Sequence, residues 1–301
     1  MITFDIHTTP TNMASTGDSH AFTIENEVQA AQELLLERRV SELLGGALPG
    51  ELDLSRVRRV LDVGCGVGGW VYEMAWRHPD VQLIGIDKRA YFIEQALGYV
   101  WGGISNVIYL VQDALHLEGA PFEPESFDLV HMRLLGGEIV AQDYPPLLRA
   151  LAVLCRPGGL IAWTEMEFPL TSSPACQHLW DLLQQGLRKA GRAFAPGSAL
   201  GITAHMNRWL EAAGCHLILD KAHLIDISSG ASGPTDAHQT FQQRALTFVQ
   251  QVRPFLLELG LLSEPSFKRI VKQMQQEIQE ETFSGVCYLR SVVGEKAPVE
   301  P

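Results

Sequence analysis

Glycines are concentrated where one predicted strand runs into a helix, in the segment VLDVGCGVGGW over Val60–Trp70. Gly64, Gly66 and Gly68 allow the backbone to turn sharply and to approach a ligand closely, because glycine tolerates positive φ and has no Cβ. The spacing satisfies G-x-G-x-G, and with Gly69 in place of Gly68 it also satisfies the dinucleotide pattern G-x-G-x-x-G. The glycines therefore indicate a ligand against this turn and leave its identity open.

Three aspartates fall near the ends of successive predicted strands, where they can contact such a ligand. Asp62 lies two residues before Gly64, and its carboxylate would repel a pyrophosphate but attract an ammonium group. Asp87 ends LIGID, where it can accept hydrogen bonds from two ribose hydroxyls. Asp113 can accept one from an adenine amino group while the Ala114 N–H donates to the ring. Taken singly, Asp62 and Asp87 fit a turn or helix cap equally well, but the three acids together favour a cationic nucleoside.

Short apolar runs alternate with helical patterns through the middle of the chain, which is typical of βαβ units and a parallel sheet. After the second strand, Ala90, Ile93 and Leu97 have the spacing of one helix face. The helix before the fifth strand is expected to end at Arg156–Gly159, whose sequence is RPGG. Right-handed crossovers would place such helices on both faces of the sheet. The five strands are predicted at Arg59–Val63, Gln82–Ile86, Val107–Val111, Phe127–His131 and Leu160–Glu165.

The remainder of the chain is predicted to be mainly helical, with two further strands. A helix around His205–Ala213 precedes a sixth strand near His216–Ile227, and two amphipathic helices between His238 and Glu281 precede a last strand at Gly285–Val293. Before them, Leu179, Leu182, Leu183 and Leu187 share one helix face. At the other end of the chain, Asn26 is expected to cap a helix that carries Leu36, Val40, Leu43 and Leu44 and that Gly45 and Gly46 stop.

Charge and composition argue against several classes of protein. The net charge of -12 and the pI near 5.3 produce a field that repels phosphate backbones, so nucleic acid is disfavoured as a partner. Residues Met1 to Ser19 lack the pattern of a secretory signal, and no later segment is apolar for long enough to cross a bilayer, so we expect a cytoplasmic protein with no membrane partner. The cysteines are widely spaced and odd in number, which disfavours a disulfide framework or a zinc site and favours a packing role for Cys65 in the glycine loop: Cys65, Cys155, Cys176, Cys215 and Cys287.

The motifs of Val57–Phe168 are similar, in content and in order, to those of class I S-adenosylmethionine-dependent methyltransferases. The segments TIENEVQ, FDLVHMR and TEMEFPL further resemble the LaeA-like branch, which is linked to secondary metabolism. The resemblance implies an α/β, Rossmann-like fold with a seven-stranded, mostly parallel sheet in the order 3-2-1-4-5-7-6, flanked by helices. Residues 1–20 are rich in Thr, Ser, Asn and Gly and poor in large apolar groups, which predicts a mobile arm, and we expect one domain over 21–294 and a tail over 295–301. Helical insertions at about 169–212 and 228–283 would form a lid.

The resemblance further implies the cofactor S-adenosyl-L-methionine, with S-adenosyl-L-homocysteine as product, and a small-molecule methyl acceptor. No metal is predicted, because no carboxylate cluster of the kind that binds magnesium is evident. The oligomeric state is left open. The residues implied to bind the cofactor are Asp62, Gly64, Gly66, Gly68, Asp87, Lys88, Asp113, Ala114 and His131.

A catalytic base is optional, because methyl transfer from a sulfonium is an in-line displacement that depends mainly on alignment. Candidates lie at the carboxyl ends of strands, where open α/β sheets bind their ligands. His131 can act as a base near neutral pH or contact the cofactor through its backbone, and Glu165 is the second candidate. Glu165 and Glu167 alternate along their strand, so that only one can face the pocket while the other bonds to backbone or to an arginine such as Arg133.

The predicted function is methyl transfer to an oxygen, nitrogen or carbon atom of a small apolar metabolite of the secondary-metabolite type. Two alternatives remain open. One is a protein that binds the same cofactor without methylating, as a regulator or a natural-product cyclase would, and the other is a nicotinamide-dependent oxidoreductase. His205 is expected to be structural. Aromatic side chains in the helical regions suit an apolar acceptor pocket or plain packing against the sheet: Trp180, Phe194, Trp209, Phe248 and Phe255.

Overall fold

A computed structural model describes residues 30, 34, 37–38, 40–42, 44–49, 52–98, 104–197, 199–230 and 233–298. Several predictions fall outside these residues. They are the arm over residues 1–20, the segment TIENEVQ with its cap at Asn26, the positions of Leu36 and Leu43, and the end of the tail at 299–301.

One mostly parallel sheet forms the centre of the described chain. Its strands run in the order β3-β2-β1-β4-β5-β10-β7, and β10 is antiparallel to both of its neighbours. This confirms the predicted order 3-2-1-4-5-7-6, in which β7 is the sixth predicted strand and β10 is the seventh. The strands are β1 (Arg59–Val63), β2 (Gln82–Asp87), β3 (Val107–Val111), β4 (Phe127–Arg133), β5 (Cys155–Met166), β6 (Leu170–Thr171), β7 (Cys215–Asp226), β8 (Ser229–Gly230), β9 (Gly233–Pro234) and β10 (Gly285–Lys296).

Besides the seven expected strands there are shorter ones, and these have too few residues to show a periodic pattern in the sequence. β6 pairs with the first two residues of β10, which makes the sheet eight-stranded, and β8 and β9 form a separate two-stranded ribbon. The longer strands also extend past their predicted ends. β5 begins at Cys155, so the RPGG segment expected to end a helix lies inside the strand, and β10 runs to Lys296, into the predicted tail.

Helices cover both faces of the sheet, as right-handed crossovers require. α1 and α2 pack on one face with residues such as Trp70, Leu83 and Ile93, and α3 to α7 pack on the other with residues such as Ile84 and Leu148. The central strands are apolar along nearly their whole length because they are buried on both faces. The helices are α1 (Gly69–Arg77), α2 (Ala90–Gly98), α3 (Tyr144–Leu154), α4 (Pro174–Lys189), α5 (Met206–Ala212), α6 (Asp236–Glu258) and α7 (Glu264–Glu277).

The buried face of α2 differs from its prediction. Phe92, Ile93 and Ala96 are buried, whereas Leu97 is 55% exposed and Ala90 is exposed. The helix is rotated relative to the expected stripe, because it presents Ile93 and Ala96 to the core beneath the glycine loop. The leucine stripe of α4 is buried as predicted.

Gly85→Ala tests the packing that brings β2 and β3 under the glycine loop. A Cβ at Gly85 would lie 2.8 Å from Tyr109 Cδ1 and 3.0 Å from Cys65 Sγ, so we expect a loss of about 1 to 3 kcal/mol in the free energy of unfolding. Urea denaturation measures it. The matched control is Gly98→Ala in α2, where an added Cβ meets no described atom within 4 Å and where alanine favours the helix. Equal stability of the two variants would contradict the packing described.

Candidate active site

The glycine loop after β1 adopts a conformation that only glycine accommodates without strain. Gly64, Gly66 and Gly68 have φ values of 68°, 54° and 83°. Asp87 holds the loop from the neighbouring strand, because its Oδ2 accepts a hydrogen bond from the Gly66 N–H at 3.1 Å. Tyr109 supports it from below by donating its hydroxyl to the Gly68 carbonyl at 3.3 Å. The loop is therefore set by β2 and β3 as well as by its own glycines.

Asp62 and His131 form a buried pair beneath this loop. His131 Nδ1 lies 2.7 Å from Asp62 Oδ1, and the imidazole stacks on Trp70 with ring centroids 3.7 Å apart and planes inclined by 6°. Burial lowers the pKa of His131 and outweighs the opposite effect of Asp62, so the ring is neutral at pH 7. In that form Nδ1 donates to the carboxylate, which can only accept. A role for this side chain as a base would require it to leave Asp62 or Trp70.

Asp87 and Asp113 are bound by groups of their own loops. Besides Gly66, Asp87 accepts from the Arg89 backbone N–H at 2.9 Å and from Arg89 Nε at 3.3 Å. Asp113 accepts from the Leu115 N–H at 2.9 Å and lies 3.2 Å from His116 Nδ1. Each aspartate thus accepts a hydrogen bond from the backbone N–H two residues on, as in an Asx-turn. Asp87 does not cap the following helix, which begins at Ala90.

A cavity of about 240 Å³ opens beside the glycine loop. Of the predicted cofactor residues, Gly64 and Gly66 line it, whereas Asp62, Gly68, Asp87, Lys88, Asp113, Ala114 and His131 are absent from its described walls. The three aspartates nevertheless lie at one edge of the sheet, because they follow the carboxyl ends of adjacent parallel strands. The remaining walls come from residues 133–138 after β4, from residues 165–169 at the end of β5, from β7 and β10, and from one face of α6.

Glu165 is the predicted catalytic residue that lines the cavity. Its carboxylate is 1% exposed and accepts three hydrogen bonds, from the Leu135 N–H (3.0 Å), the Gly136 N–H (3.0 Å) and Trp163 Nε1 (2.9 Å). Burial raises the pKa of Glu165 to about 7, although these three donors favour the charged form. The group can therefore hold or release a proton near neutral pH, as a general base must.

Glu167 is absent from the described wall of the cavity, but strand alternation is not the reason. Residues two apart share one face of a strand, and Glu167 follows the end of β5 at Met166. It accepts from the Gly201 N–H at 2.7 Å and from both the N–H and the hydroxyl of Thr203, at 3.1 and 2.7 Å. The expected pairing of Arg133 with one of these glutamates is wrong. Arg133 instead donates to Ser41 Oγ at 2.9 Å and lies 3.5 Å from Glu37, because these two residues lie beside the end of β4.

Four charged residues of the cavity wall were missed by sequence reasoning, namely Glu37, Arg89, Glu138 and Arg244, and two of them lie close together. The Arg89 guanidinium lies over the Phe92 ring at 3.7 Å and reaches to 3.6 Å from Glu138. Burial raises the pKa of Glu138, and the positive charge of Arg89 opposes this. The three-residue spacing of Arg89, just before α2, and Phe92, in α2, could have indicated that their side chains meet. No pattern in the sequence indicated Glu138, because its partner Arg89 lies in a different loop.

The aromatic residues proposed for an acceptor pocket separate into groups. Trp180 and Phe248 line the cavity, whereas Phe194, Trp209 and Phe255 do not. Trp209 stacks on Tyr144, Trp163 and His205, with centroids 5.6, 6.2 and 4.9 Å apart, and Phe194 closes the same stack. His205 Nε2 lies 3.2 Å from the Phe194 carbonyl, in keeping with a structural role.

Other features of the described residues bear on the remaining predictions. All five cysteines are unpaired and buried, and burial raises the pKa of Cys65 well above its usual value, which fits a packing role. Within the described ranges, no group of three or more His, Cys, Asp or Glu residues is arranged to hold a metal ion. None of the helices in the described part of the chain is both long enough and apolar enough to span a membrane.

Comparisons with known proteins agree with this geometry. Residues 60–159 match the methyltransferase domain family. Methyltransferase str2 of Strobilurus tenacellus is 27% identical over 60% of this chain and 55% of its own length, and the secondary metabolism regulator laeA of Coprinopsis cinerea is 24% identical over 75% and 58%. The chain thus spans little more than half the length of these two relatives. Phosphoethanolamine N-methyltransferase 3 of Arabidopsis thaliana is 35% identical over 41% of the chain and 24% of its own length.

The fold is shared with solved structures. Phosphoethanolamine N-methyltransferase 2 of Haemonchus contortus, solved with phosphomonomethylethanolamine and S-adenosylhomocysteine, superposes with a TM-score of 0.52 at 16% identity, over 91% of this chain and 58% of that one.

Asp62→Asn tests the electrostatics of the buried histidine. The pKa of His131 should lie below its ordinary value of 6.5 and fall further in the variant, because the carboxylate raises it and burial lowers it. NMR titration of the imidazole measures both values. Stability should also decline as the pH falls through 6.5, since the unfolded histidine takes up its proton first. Asp113→Asn, which alters a carboxylate beside His116, is the control. A pKa of His131 that stays unchanged or rises in Asp62→Asn would refute the assignment.

Proposed function

We propose that the chain is a class I S-adenosylmethionine-dependent methyltransferase, which binds S-adenosyl-L-methionine and transfers its methyl group to a small apolar metabolite. The acceptor atom is an oxygen, nitrogen or carbon, and S-adenosyl-L-homocysteine is released. One observation carries the proposal: the glycine loop and a buried carboxylate of raised pKa, Glu165, line the same cavity as an apolar, aromatic wall. Cofactor, acceptor and base thus have a place within one enclosed space.

The residues around the loop fit the proposed cofactor. The edge of the sheet carries Asp62, Asp87 and Asp113, whose negative charge suits a cation. Asp87 offers its carboxylate at the turn, where we propose that the ribose hydroxyls replace its contact with Arg89. Arg89 then remains over Phe92 and near Glu138, which keep its charge compensated. The bound cofactor supplies an electrophilic methyl group, and alignment of the acceptor accounts for most of the rate.

Glu165 is proposed to accept the proton of a protic acceptor. It occupies the described wall of the cavity, and its three donors hold the carboxylate in one orientation. A base with a pKa near the working pH combines a useful fraction of the charged form with adequate basicity. His131 is the weaker candidate because Asp62 and Trp70 enclose its ring.

A role as a non-methylating regulator is favoured by a separate observation. The relative that covers 75% of this chain is named a secondary metabolism regulator. Such a protein would bind the cofactor and transfer nothing. The apolar end of the cavity and Glu165, with its pKa of about 7, favour the enzyme, because a protein that only binds the cofactor needs neither. The cytoplasmic location stays a prediction from the patterns of the sequence, and the lack of a nucleic-acid partner stays a prediction from its charge.

Cofactor binding can be tested by calorimetry with S-adenosylhomocysteine. Gly66→Val should abolish binding, because a β-branched residue is strained at a φ of 54° where the backbone is expected to approach the cofactor most closely. Asp87→Ala should weaken binding by about 1 to 3 kcal/mol through lost hydrogen bonds. Asp53→Ala, which removes a carboxylate that binds Ser55 in an exposed turn, should bind normally. Near-normal affinity in both loop variants, or thermal stabilisation by NAD alone, would end the proposal.

Methyl transfer can be tested with methyl-labelled S-adenosylmethionine and a pool of small metabolites. We expect a labelled product whose rate of formation rises as the pH passes through about 7, since Glu165 must be deprotonated to act. Glu165→Gln should lose that pH-dependent step. Glu167→Gln, which alters the neighbouring carboxylate outside the cavity, should retain it. Cofactor binding without a labelled product from any pool would favour the regulator instead.

A further inference from the structure

We propose that the acceptor is an aromatic molecule that carries an oxygen able to accept a hydrogen bond, and that Trp180 recognises this oxygen; the inference rests on the proposed function. The site is an aromatic chamber, defined by Phe168, Trp180, Phe241 and Phe248, at the end of the cavity formed by α4, α6 and the residues after β5. The chamber would hold the ring system, and the indole N–H of Trp180 would donate to the oxygen.

The rings of the chamber contact one another and form a continuous aromatic wall. Phe168 and Trp180 are parallel within 7°, with centroids 6.1 Å apart, and Phe248 is inclined at 60° to Trp180 with its centroid at 5.7 Å. Offset-stacked and edge-on arrangements are both favourable for aromatic pairs. A planar aromatic acceptor therefore gains more from these walls than an aliphatic chain of the same area.

The indole N–H of Trp180 is the polar feature that a purely apolar pocket would not need. Trp180 is 5% exposed, and its buried Nε1 has no hydrogen-bond partner among the described residues. The two most deeply buried tryptophans differ, since Trp70 Nε1 donates to the Ala47 carbonyl at 2.8 Å and Trp163 Nε1 donates to Glu165 at 2.9 Å. An unsatisfied buried donor is unfavourable unless a ligand supplies the acceptor. Phenylalanine would otherwise provide the same wall.

The charge of the surrounding wall favours an oxygen over an ammonium group at this end. α6 contributes Thr240, Arg244 and Gln251 to the lining, at helical spacing, and Arg244 is the charged residue among those it contributes. A guanidinium attracts the partial negative charge of a carbonyl or phenolic oxygen and repels a cation. Aryl ketones and related oxygen-bearing aromatics are thus the class that the chamber selects.

Equilibrium dialysis with two isosteric probes tests the proposal in the presence of saturating S-adenosylhomocysteine. The probes are 2-acetylnaphthalene, which has a carbonyl oxygen, and 2-isopropenylnaphthalene, which has a methylene group in its place. The wild-type protein should bind the ketone about tenfold more tightly than the hydrocarbon, as one hydrogen bond to a buried donor provides. Trp180→Phe should bind the two probes equally. Trp76→Phe, at a tryptophan that is 72% exposed on α1, is the matched control and should keep the preference.

An NMR measurement on the wild-type protein keeps the test decisive if Trp180→Phe does not fold. The Nε1–H resonance of Trp180 should move downfield with the ketone and stay in place with the hydrocarbon. Equal binding of both probes by the wild type, or an unchanged preference in Trp180→Phe, would overturn the inference. Absence of S-adenosylhomocysteine binding in the same samples would instead overturn the proposed function, so the two failures are distinguishable.

Discussion

The bond between Asp87 and the glycine loop is the interaction on which the site depends. Asp87 comes from the end of β2 and holds the Gly66 N–H, which belongs to the turn after β1. A carboxylate that accepts from a backbone N–H makes a stronger bond than a neutral acceptor does. Because Gly64 and Gly66 also form the wall of the cavity, the position of that wall is set by the pairing of two strands. The loop side of the cavity is thus positioned by the sheet.

Two glutamates at the end of β5 have different tasks because the strand ends between them, at Met166. Glu165 turns into the cavity and is held by backbone N–H groups of the segment after β4, so the base candidate and one wall of the site are fastened together. Glu167 secures the turn at Gly201 and Thr203 that leads into α5. The carboxyl end of β5 therefore positions both the candidate base and the start of the helical layer.

The cavity has two ends of different character. Near the glycine loop, opposite charges face one another in the pairs Arg133 with Glu37 and Arg89 with Glu138. At the other end, rings from α4 and α6 meet, and polar groups are few. A charged cofactor and a largely apolar acceptor would each meet the surface that suits it. This division arises because Arg89, Arg133 and Glu138 lie at or just after the ends of β2 and β4, while Trp180, Phe241 and Phe248 lie on α4 and α6.

Local patterns in the sequence were sufficient for the seven longer strands and for the glycine turn, because each depends on residues that are neighbours in the chain. The separation of Glu165 from Glu167 depends instead on where β5 ends. The strand order followed from the family resemblance. Tertiary structure alone decided which buried polar groups meet: Asp62 binds His131, 69 residues away, and so the carboxylate expected at the ligand serves the histidine. It also decided that Trp180 lines the cavity while Trp209 joins a separate stack. Apolar stripes show that a helix face is buried, but the partner of that face depends on contacts between distant segments.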